Sequence, residues 1–155
     1  MIPPADDLDR IMAIMVTAFD PAFGEAWSRR QLEDSLILGN CNYGLITIEG
    51  NEPAPGETAA GFFLSRIGVE EEELLLLAVT PQYRRNGLAD RLLAKFSAAA
   101  RKRGALRLLL EMRQGNAAEV LYLRHGFLPI GRRPNYYRAA MGERLDAITF
   151  ARDFD

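Results

Sequence analysis

Apolar residues recur at helical spacing near the start of the chain, and this pattern predicts two helices. Asp6 or Asp7 is predicted to cap the first helix, which ends before Pro21. Ser28 is predicted to cap the second helix, which stops at 39–40. The predicted buried positions are Leu8, Ile11, Met12, Met15, Val16 and Phe19 in the first helix and Leu32, Leu36 and Ile37 in the second.

Strand-like patterns follow in the middle of the chain. The predicted strands there are 43–48, 59–67, 74–79 and 105–112. The first two are joined by a loop rich in turn residues and predict a hairpin. The third is an unbroken apolar run, typical of a strand that is buried on both faces. Because a helix at 87–103 joins the third strand to the fourth, these two strands are predicted to be parallel neighbours.

The four glutamates at 70–73 precede the apolar run. They predict a solvated entrance to that strand, or else a carboxylate close to an amine substrate. Further along, a short helix is predicted at 117–124, followed by strands at 127–131 and 146–152. The segment 132–144, rich in tyrosine and arginine, is predicted to be a long loop between them. No repeat or linker divides the 155 residues, so residues 1–155 are predicted to form one domain of the α/β class with a mixed sheet.

Composition and charge exclude several classes of function. A net charge of -2 gives no basic footprint, so no nucleic-acid partner is expected. With one cysteine and one histidine, neither a disulfide nor a metal-ligand set is expected; Cys41 is predicted to be an inert thiol and His125 a surface residue at a helix end. The acidic N-terminus has no apolar signal region, and no apolar run is long enough for a membrane span. A cytoplasmic protein is therefore expected.

A basic turn follows the apolar strand, with the sequence RRNGLAD at 84–90. A helix that begins at such a turn presents free amide donors and the positive end of its dipole to an anion. Two arginines add charge-assisted hydrogen bonds suited to phosphate oxygens. The turn therefore predicts a pyrophosphate site, the alternative being a structural turn with a solvated arginine pair. It lacks the lysine ending of a nucleotide P-loop and the spaced glycines of a dinucleotide fingerprint.

These residues resemble a known family. Arg84, Gly87 and Ala89 match the Arg/Gln-x-x-Gly-x-Gly/Ala acetyl-CoA signature of the GNAT N-acetyltransferases. Residues 110–127 resemble the LEVR-x-x-N…LY-x-x-x-GF block of that family. The segments 132–137, 146–147 and 26–28 resemble the R-x-NYY…EDA tail and the early PWS of its RimI group, which acetylates the N-terminal α-amine of a ribosomal protein. The resemblance covers nearly the whole chain.

The resemblance implies a GNAT fold: a central mixed, mostly antiparallel sheet, splayed between two parallel strands and flanked by about four helices. It implies direct transfer of an acetyl group from acetyl-CoA to a primary amine, with Glu111 as general base and Tyr122 as general acid. The expected acceptor is a peptide or protein N-terminus, and the expected state is a monomer or weak homodimer. Acetyl-CoA is expected to contact Leu77, Ala78, Val79, Arg84, Arg85, Asn86, Gly87, Leu88, Ala89, Asp90 and Asn116, and the acceptor to contact Trp27, Arg133, Tyr136 and Tyr137.

Three departures from the family pattern keep other interpretations open. The interval from Asn116 to Tyr122 is one residue shorter than usual, Leu145 stands in place of a glutamate, and Ala26 in place of a proline. One alternative is an acetyltransferase of a small-molecule amine or of lysine, with an acidic pocket built around 70–73. Another is an acyl-CoA-binding module without turnover. Viewed alone, Glu111 also fits a solvated strand end, whereas Tyr122 and Trp27 also fit a core position.

Overall fold

The computed structural model describes residues 5–154, and in this range the chain forms four α-helices and six β-strands. The helices are α1 (Ala5–Ala18), α2 (Arg29–Ile37), α3 (Leu88–Lys102) and α4 (Glu119–Arg124). The strands are β1 (Cys41–Ile46), β2 (Gly61–Ile67), β3 (Glu71–Val79), β4 (Arg107–Arg113), β5 (Leu128–Arg138) and β6 (Arg144–Asp153). Single 3-10 turns at Pro21–Phe23 and Pro81–Tyr83 follow α1 and β3.

The six strands form one sheet in the order β1-β2-β3-β4-β6-β5. Neighbouring strands are antiparallel except for β3 and β4, which are parallel and are joined by α3. Their pairing runs only from Glu71 opposite Arg107 to Leu74 opposite Leu110. Beyond these residues the two strands part. The predicted parallel crossover is confirmed, and the sheet opens at its centre.

An extra residue in β3 lies at the point where the strands part. Leu64 of β2 pairs with Leu76, but the next residue, Ser65, pairs with Leu74, so Leu75 has no partner on β2. Such a bulge bends a strand and turns its side chains. As a result, the consecutive residues Leu75 and Leu76 both pack against the α1 and α2 side, whereas Leu74 packs on the α3 side.

Each face of the sheet carries its own apolar core. On one face, α3 buries Leu92, Leu93 and Phe96 completely. On the other face, α1 and α2 bury Ile11 and Leu32 just as fully. Burying one such side chain contributes roughly 1.5–3 kcal/mol, so both helical layers hold the splayed sheet in place.

The predicted helices are confirmed, but some of their buried positions are wrong. Val16 is 73% exposed and Ile37 is 59% exposed, whereas Ile14, which was not predicted, is 2% exposed. Each wrong residue directly follows a buried one, and a helix turns by about a quarter of a circle per residue. The helix α1 is already helical at Ala5, so the acidic cap is also wrong, and Asp7 instead binds the guanidinium of Arg10 at 2.8 Å.

The segment 132–144 is not a loop: most of it belongs to the hairpin of β5 and β6. Arg133 pairs with Ala147 and Tyr137 with Leu145, so the three residues 134–136 bulge opposite Asp146 alone. The Asp146 carboxylate accepts hydrogen bonds from the Asn135 amide and from the Arg132 guanidinium, both at 2.9 Å. Asn135 has a φ of 54°, a left-handed conformation that asparagine tolerates. Because this bulge interrupts the alternation of the side chains between the two faces of the sheet, the strand could not be recognised in the sequence.

The acidic run is not uniformly solvated, because Glu72 is only 1% exposed. Its carboxylate accepts hydrogen bonds from Arg103 Nε and Nη2 at 2.6 and 2.8 Å and from Ser65 Oγ at 3.1 Å. A buried charge requires such partners, since an unpaired one is strongly destabilising. Glu72 therefore ties β3 to β2 and to the end of α3.

Replacing Glu72 with glutamine is expected to lower the free energy of unfolding by about 2 kcal/mol, because hydrogen bonds to charged groups contribute roughly 1.5–3 kcal/mol. For a chain of this size the midpoint of thermal unfolding should fall by roughly 4–8 °C. The matched control is Glu73→Gln, whose ion pair with Arg66 has side chains 35% and 51% exposed. Its effect should stay below about 1 kcal/mol. Equal shifts in the two variants would contradict a buried role for Glu72.

Candidate active site

A cavity of about 870 Å³ occupies the gap between β3 and β4. Its walls are the second half of β3, the turn that follows it, the start of α3, the end of β4 and the start of α4. The loop between α1 and α2 and one residue of β5, Tyr137, close its other side. The splay of the sheet thus forms a cleft that runs from the N-terminus of α3 to the α1–α2 loop.

The structure brings most of the predicted site residues to this cavity. Those that line it are Trp27, Leu77, Ala78, Val79, Arg84, Arg85, Gly87, Leu88, Ala89, Asp90, Glu111, Asn116, Tyr122 and Tyr137. The predicted residues Asn86, Arg133 and Tyr136 do not line it. Trp27 was predicted either to contact the acceptor or to occupy a core position. It lines the cavity and also packs on the core of the α1 and α2 side.

The N-terminus of α3 presents free backbone amides to the cavity. Gly87 is its cap residue with a φ of 75°, and it supplies no side-chain hydrogen bond to the helix. The first amide to find a helical acceptor is that of Arg91, which donates to the Gly87 carbonyl at 3.1 Å. Among residues 5–154, the amides of Leu88, Ala89 and Asp90 have no acceptor. They remain available to a negatively charged group at the end of the cavity.

The two arginines of the turn differ in what they bind. Arg84 donates from Nε to the Val79 carbonyl at 3.2 Å and from Nη2 to the Ala18 carbonyl at 2.7 Å. It therefore fastens the turn to α1 and occupies one carbonyl of β3. Arg85 is exposed in a left-handed conformation with a φ of 68°, and its side chain has no hydrogen-bond partner in the described part of the chain. Arg85 is the better placed of the two to bind phosphate.

Asp90 connects the start of α3 to α4. Its carboxylate lies 2.8 Å from Nε2 of His125 and accepts a hydrogen bond of 2.8 Å from Arg124. The hydrogen bonds to His125 and then to Arg124 lower the pKa of Asp90. The ring of His125 is only 18% exposed, so its prediction as a surface residue is wrong in that respect. The carboxylate of Asp90 is engaged, which leaves its backbone amide as the group that can meet an anion.

Glu111 lies near the end of β4 with a side chain that is 19% exposed. Its Oε2 atom is 3.3 Å from Nε of Arg133 and 3.5 Å from the hydroxyl of Thr149. Both contacts fall on the same oxygen. The other oxygen, Oε1, has no hydrogen-bond partner among the described residues and can accept a proton in the cavity.

Tyr122 of α4 is 8% exposed and packs against the rings of Phe127 and Phe150. Burial, and after it the charge of Glu25, raises the pKa of Tyr122 to about 12. Burial, followed by the charges of Glu111 and Glu25, likewise raises the pKa of Tyr137 to about 12. Both phenols therefore keep their protons at neutral pH, and Tyr122 can act as a proton donor.

The short interval between Asn116 and Tyr122 contains the start of α4. The helix begins at Glu119, not at 117 as predicted. Asn116 remains on the cavity wall, where its side chain accepts a hydrogen bond from the Ala118 amide at 2.9 Å. Asn116 is therefore not displaced from the cavity by the shorter interval.

Glu25 and Arg113 are among the cavity-wall residues that were not predicted from the sequence. Glu25, in the loop between α1 and α2, has its Oε1 atom 3.3 Å from Nε of Arg113. The guanidinium of Arg113 lies 3.6 Å from the centre of the Phe23 ring. Arg113 could have been found from its place two residues after Glu111 on one strand face. Glu25 carries no such signal, because an irregular loop has no periodicity.

The acidic run does not contribute to the cavity. None of the glutamates at 70–73 lines it, so the acidic pocket considered for a small-molecule amine is not formed there. In residues 5–154 no group of three or more histidine, cysteine, aspartate or glutamate side chains is placed to hold a metal ion. None of the helices in the described part of the chain has the length and apolarity that a bilayer crossing requires.

Comparison with known proteins identifies the family of this chain. The family model described as acetyltransferase (GNAT) domain matches residues 44–129. The [ribosomal protein bS18]-alanine N-acetyltransferases of Escherichia coli K12 and Haemophilus influenzae are 40% and 33% identical to this chain over 93 and 91 residues. Each match covers 59% of this chain and 62% of the relative, which is less than two thirds of the relative's own length.

Solved structures extend the similarity to the whole fold. The crystal structure of the Escherichia coli ribosomal-protein-S18-alanine N-acetyltransferase is 30% identical, with a TM-score of 0.79, and the match covers 99% of this chain and 91% of that one. The PaiA N-acetyltransferase of Thermoplasma acidophilum, solved in complex with coenzyme A, shares the fold at 15% identity, with a TM-score of 0.71 and coverage of 99% and 97%. The predicted fold and the resemblance to the ribosomal-protein group are both confirmed. This chain belongs to the GNAT acetyltransferase family.

Proposed function

We propose that this protein transfers the acetyl group of acetyl-CoA directly to a primary amine, and that the amine is the N-terminal α-amine of a protein. The observation that carries the proposal is the shared cavity of Glu111, Tyr122 and the free amides of α3. A proton acceptor, a proton donor and an anion site thus lie along one cleft. Both catalytic assignments rest on these positions and on the resemblance to the family.

The cleft offers contacts for two parts of coenzyme A, its diphosphate and its pantetheine arm. The diphosphate binds at the amides of Leu88, Ala89 and Asp90, with Arg85 adding a charge-assisted bond. The pantetheine arm then lies between β3 and β4, whose facing edges have no strand partner beyond Leu74 and Leu110. An arm with amide groups can pair with such edges as an added strand does.

The chemistry of transfer needs two proton movements. The amine nitrogen attacks the thioester carbonyl carbon, and the free oxygen of Glu111 accepts the proton that the nitrogen loses. The carbon–sulfur bond then breaks with its electron pair on sulfur, and Tyr122 donates its proton to the departing thiolate. An α-amine has a reference pKa near 8, against roughly 10.4 for lysine, so it is the easier acceptor to deprotonate.

Two findings support a protein N-terminus as the acceptor: the activity of the matched relatives and the residues that line the cavity. The matched relatives from Escherichia coli and Haemophilus influenzae are alanine N-acetyltransferases of ribosomal protein bS18. Trp27 and Tyr137 line the cavity, so aromatic surface is available to the backbone of a peptide. An acceptor of the polyamine type has no comparable support, because the glutamates at 70–73 lie outside the cavity.

A panel of acceptors tests the proposal. Acetyl-CoA is supplied with hexapeptides that begin with alanine, serine or methionine, with a peptide whose only amine is a lysine side chain, and with a polyamine. Thiol release is measured, and mass spectrometry locates the acetyl group. The expected result is acetylation of the α-nitrogen, with the alanine peptide among the substrates. Acetylation of lysine or polyamine alone would overturn the choice of acceptor, and coenzyme A binding without turnover on any amine would identify a binding module instead.

A further inference from the structure

Besides Asp20, whose Oδ1 atom caps the turn at Pro21–Phe23, two carboxylates line the acceptor side of the cavity, and the proposed chemistry uses only Glu111. The second is Glu25, whose side chain is 20% exposed. Its Oε1 atom contacts Arg113, whereas its Oε2 atom has no hydrogen-bond partner among residues 5–154. One oxygen of a mostly enclosed carboxylate is therefore free on the cavity wall.

The arginines that pair with the two carboxylates differ in how firmly they are held in place. Arg113 is 16% exposed, and its guanidinium is stacked 3.6 Å from the ring centre of Phe23, so it stays beside Glu25. Arg133, the partner of Glu111, is 62% exposed on β5. An arriving cation can therefore displace Arg133 from Glu111 at little cost, whereas the pair of Glu25 and Arg113 persists.

The electrostatics indicate that Glu25 lies within range of the reacting groups. Its charge contributes to the raised pKa of both Tyr122 and Tyr137, and the charge of Glu111 acts on Tyr137 as well. The two carboxylates thus both act on Tyr137, which lines the same cavity. With a reference pKa near 8, an α-amine reaches this region at neutral pH mostly as an ammonium ion with three N–H donors.

We infer that Glu25 is a positioning residue for the acceptor, whose free oxygen binds the incoming α-ammonium and holds its nitrogen beside Glu111. Glu111 is then left to take the first proton, which frees the nitrogen lone pair for attack. After passing that proton to water, it takes the second proton as the amide forms. This inference rests on the proposed function and narrows its substrate class to primary amines that are bound as cations. A peptide of the same sequence without the terminal charge should bind weakly.

Binding in the absence of turnover tests the inference. With coenzyme A in place of acetyl-CoA, calorimetry measures the dissociation constants of an alanine-initiated hexapeptide and of its des-amino analogue. The wild-type protein is expected to prefer the amino peptide by about tenfold or more, as a charge-assisted hydrogen bond provides. Glu25→Gln, which keeps the shape of the side chain, should reduce this preference to about two- to threefold.

Two further variants separate positioning from a structural role. If Glu25 only anchored Arg113, Glu25→Gln and Arg113→Gln should weaken binding of the amino peptide alike. The inference expects Arg113→Gln to keep or increase the preference, because Glu25 loses its countercharge. Glu33→Gln is the matched control, since Glu33 pairs with Arg29 on α2 and does not line the cavity.

The inference is overturned if Glu25→Gln keeps the full preference, or if the wild-type protein does not distinguish the two peptides. These outcomes are separate from failure of the proposed function. That failure would appear as absent acetyl transfer by the wild-type protein to every amine of the panel. An active wild-type enzyme with an unchanged Glu25→Gln preference would reject the role of Glu25 alone.

Discussion

Replacing Glu111 with glutamine is expected to lower kcat for acetyl transfer by a factor of roughly 10²–10⁴, the usual contribution of a positioned general base. Glutamine keeps the size of the side chain and its contact with Thr149, which lies 3.5 Å away. It cannot accept the proton of the attacking amine. Steady-state rates with the best peptide of the panel measure the loss.

The Glu111→Gln variant should still bind coenzyme A with wild-type affinity, because the free amides at the start of α3 are untouched. Glu143→Gln serves as the control, since this exposed carboxylate at the turn between β5 and β6 does not line the cavity. Full turnover in Glu111→Gln, or an equal loss in both variants, would remove the assignment of Glu111 as the base.

Replacing Tyr122 with phenylalanine is expected to lower kcat by a similar factor of roughly 10²–10⁴, because the departing thiolate then lacks its proton donor. Phenylalanine retains the packing against Phe127 and Phe150, whose ring centres lie 6.1 and 6.4 Å away. Stability and coenzyme A binding should therefore stay close to wild type. A Tyr122→Phe enzyme with an unchanged rate would show that the thiolate obtains its proton from water or from another group.

The burial of the Tyr122 phenol also predicts how the free energy of unfolding depends on pH. The pKa of Tyr122 is raised from 10 to about 12, so the folded chain holds this proton more tightly than the unfolded chain. Its contribution to the free energy of unfolding is fully present below pH 10 and is lost as the pH rises towards 12. The difference in phenolate absorbance between wild type and Tyr122→Phe should titrate near pH 12 when folded and near 10 in denaturant. Titration near 10 in the folded protein would mean that Tyr122 is solvated.

The sequence predicted the structure best where hydrophobic periodicity and chain topology constrain the same elements. The spacing of Leu92, Leu93 and Phe96 predicts α3, and a helix between two strands requires a parallel crossover, which in turn places Glu111 and the start of α3 on the same cavity. The hairpin of β5 and β6 could not be predicted in the same way. Its bulge depends on one carboxylate, Asp146, which accepts a hydrogen bond from the Asn135 amide eleven residues away.

Long-range partners explain the other differences between prediction and structure. The burial of Glu72 depends on Arg103, which is 31 residues away, and a run of four glutamates gives no sign of it. Arg84 fits a phosphate ligand in the sequence, but the structure places its guanidinium against two backbone carbonyls, one of them 66 residues away. Local patterns identify which groups are available, whereas the fold decides which of them are already occupied.

The short pairing of β3 with β4 bears on the order in which the two reactants bind. The sheet consists of two three-stranded halves whose common seam ends at Leu74 and Leu110. Trp27, which packs on the core of the half that contains β3, and Glu111, on β4 of the other half, both line the cavity. A strand-like cosubstrate that lengthens the seam fixes the halves relative to each other, so it completes the docking place of the second reactant. Acetyl-CoA is therefore expected to bind first, and the amine to follow in a compulsory sequence.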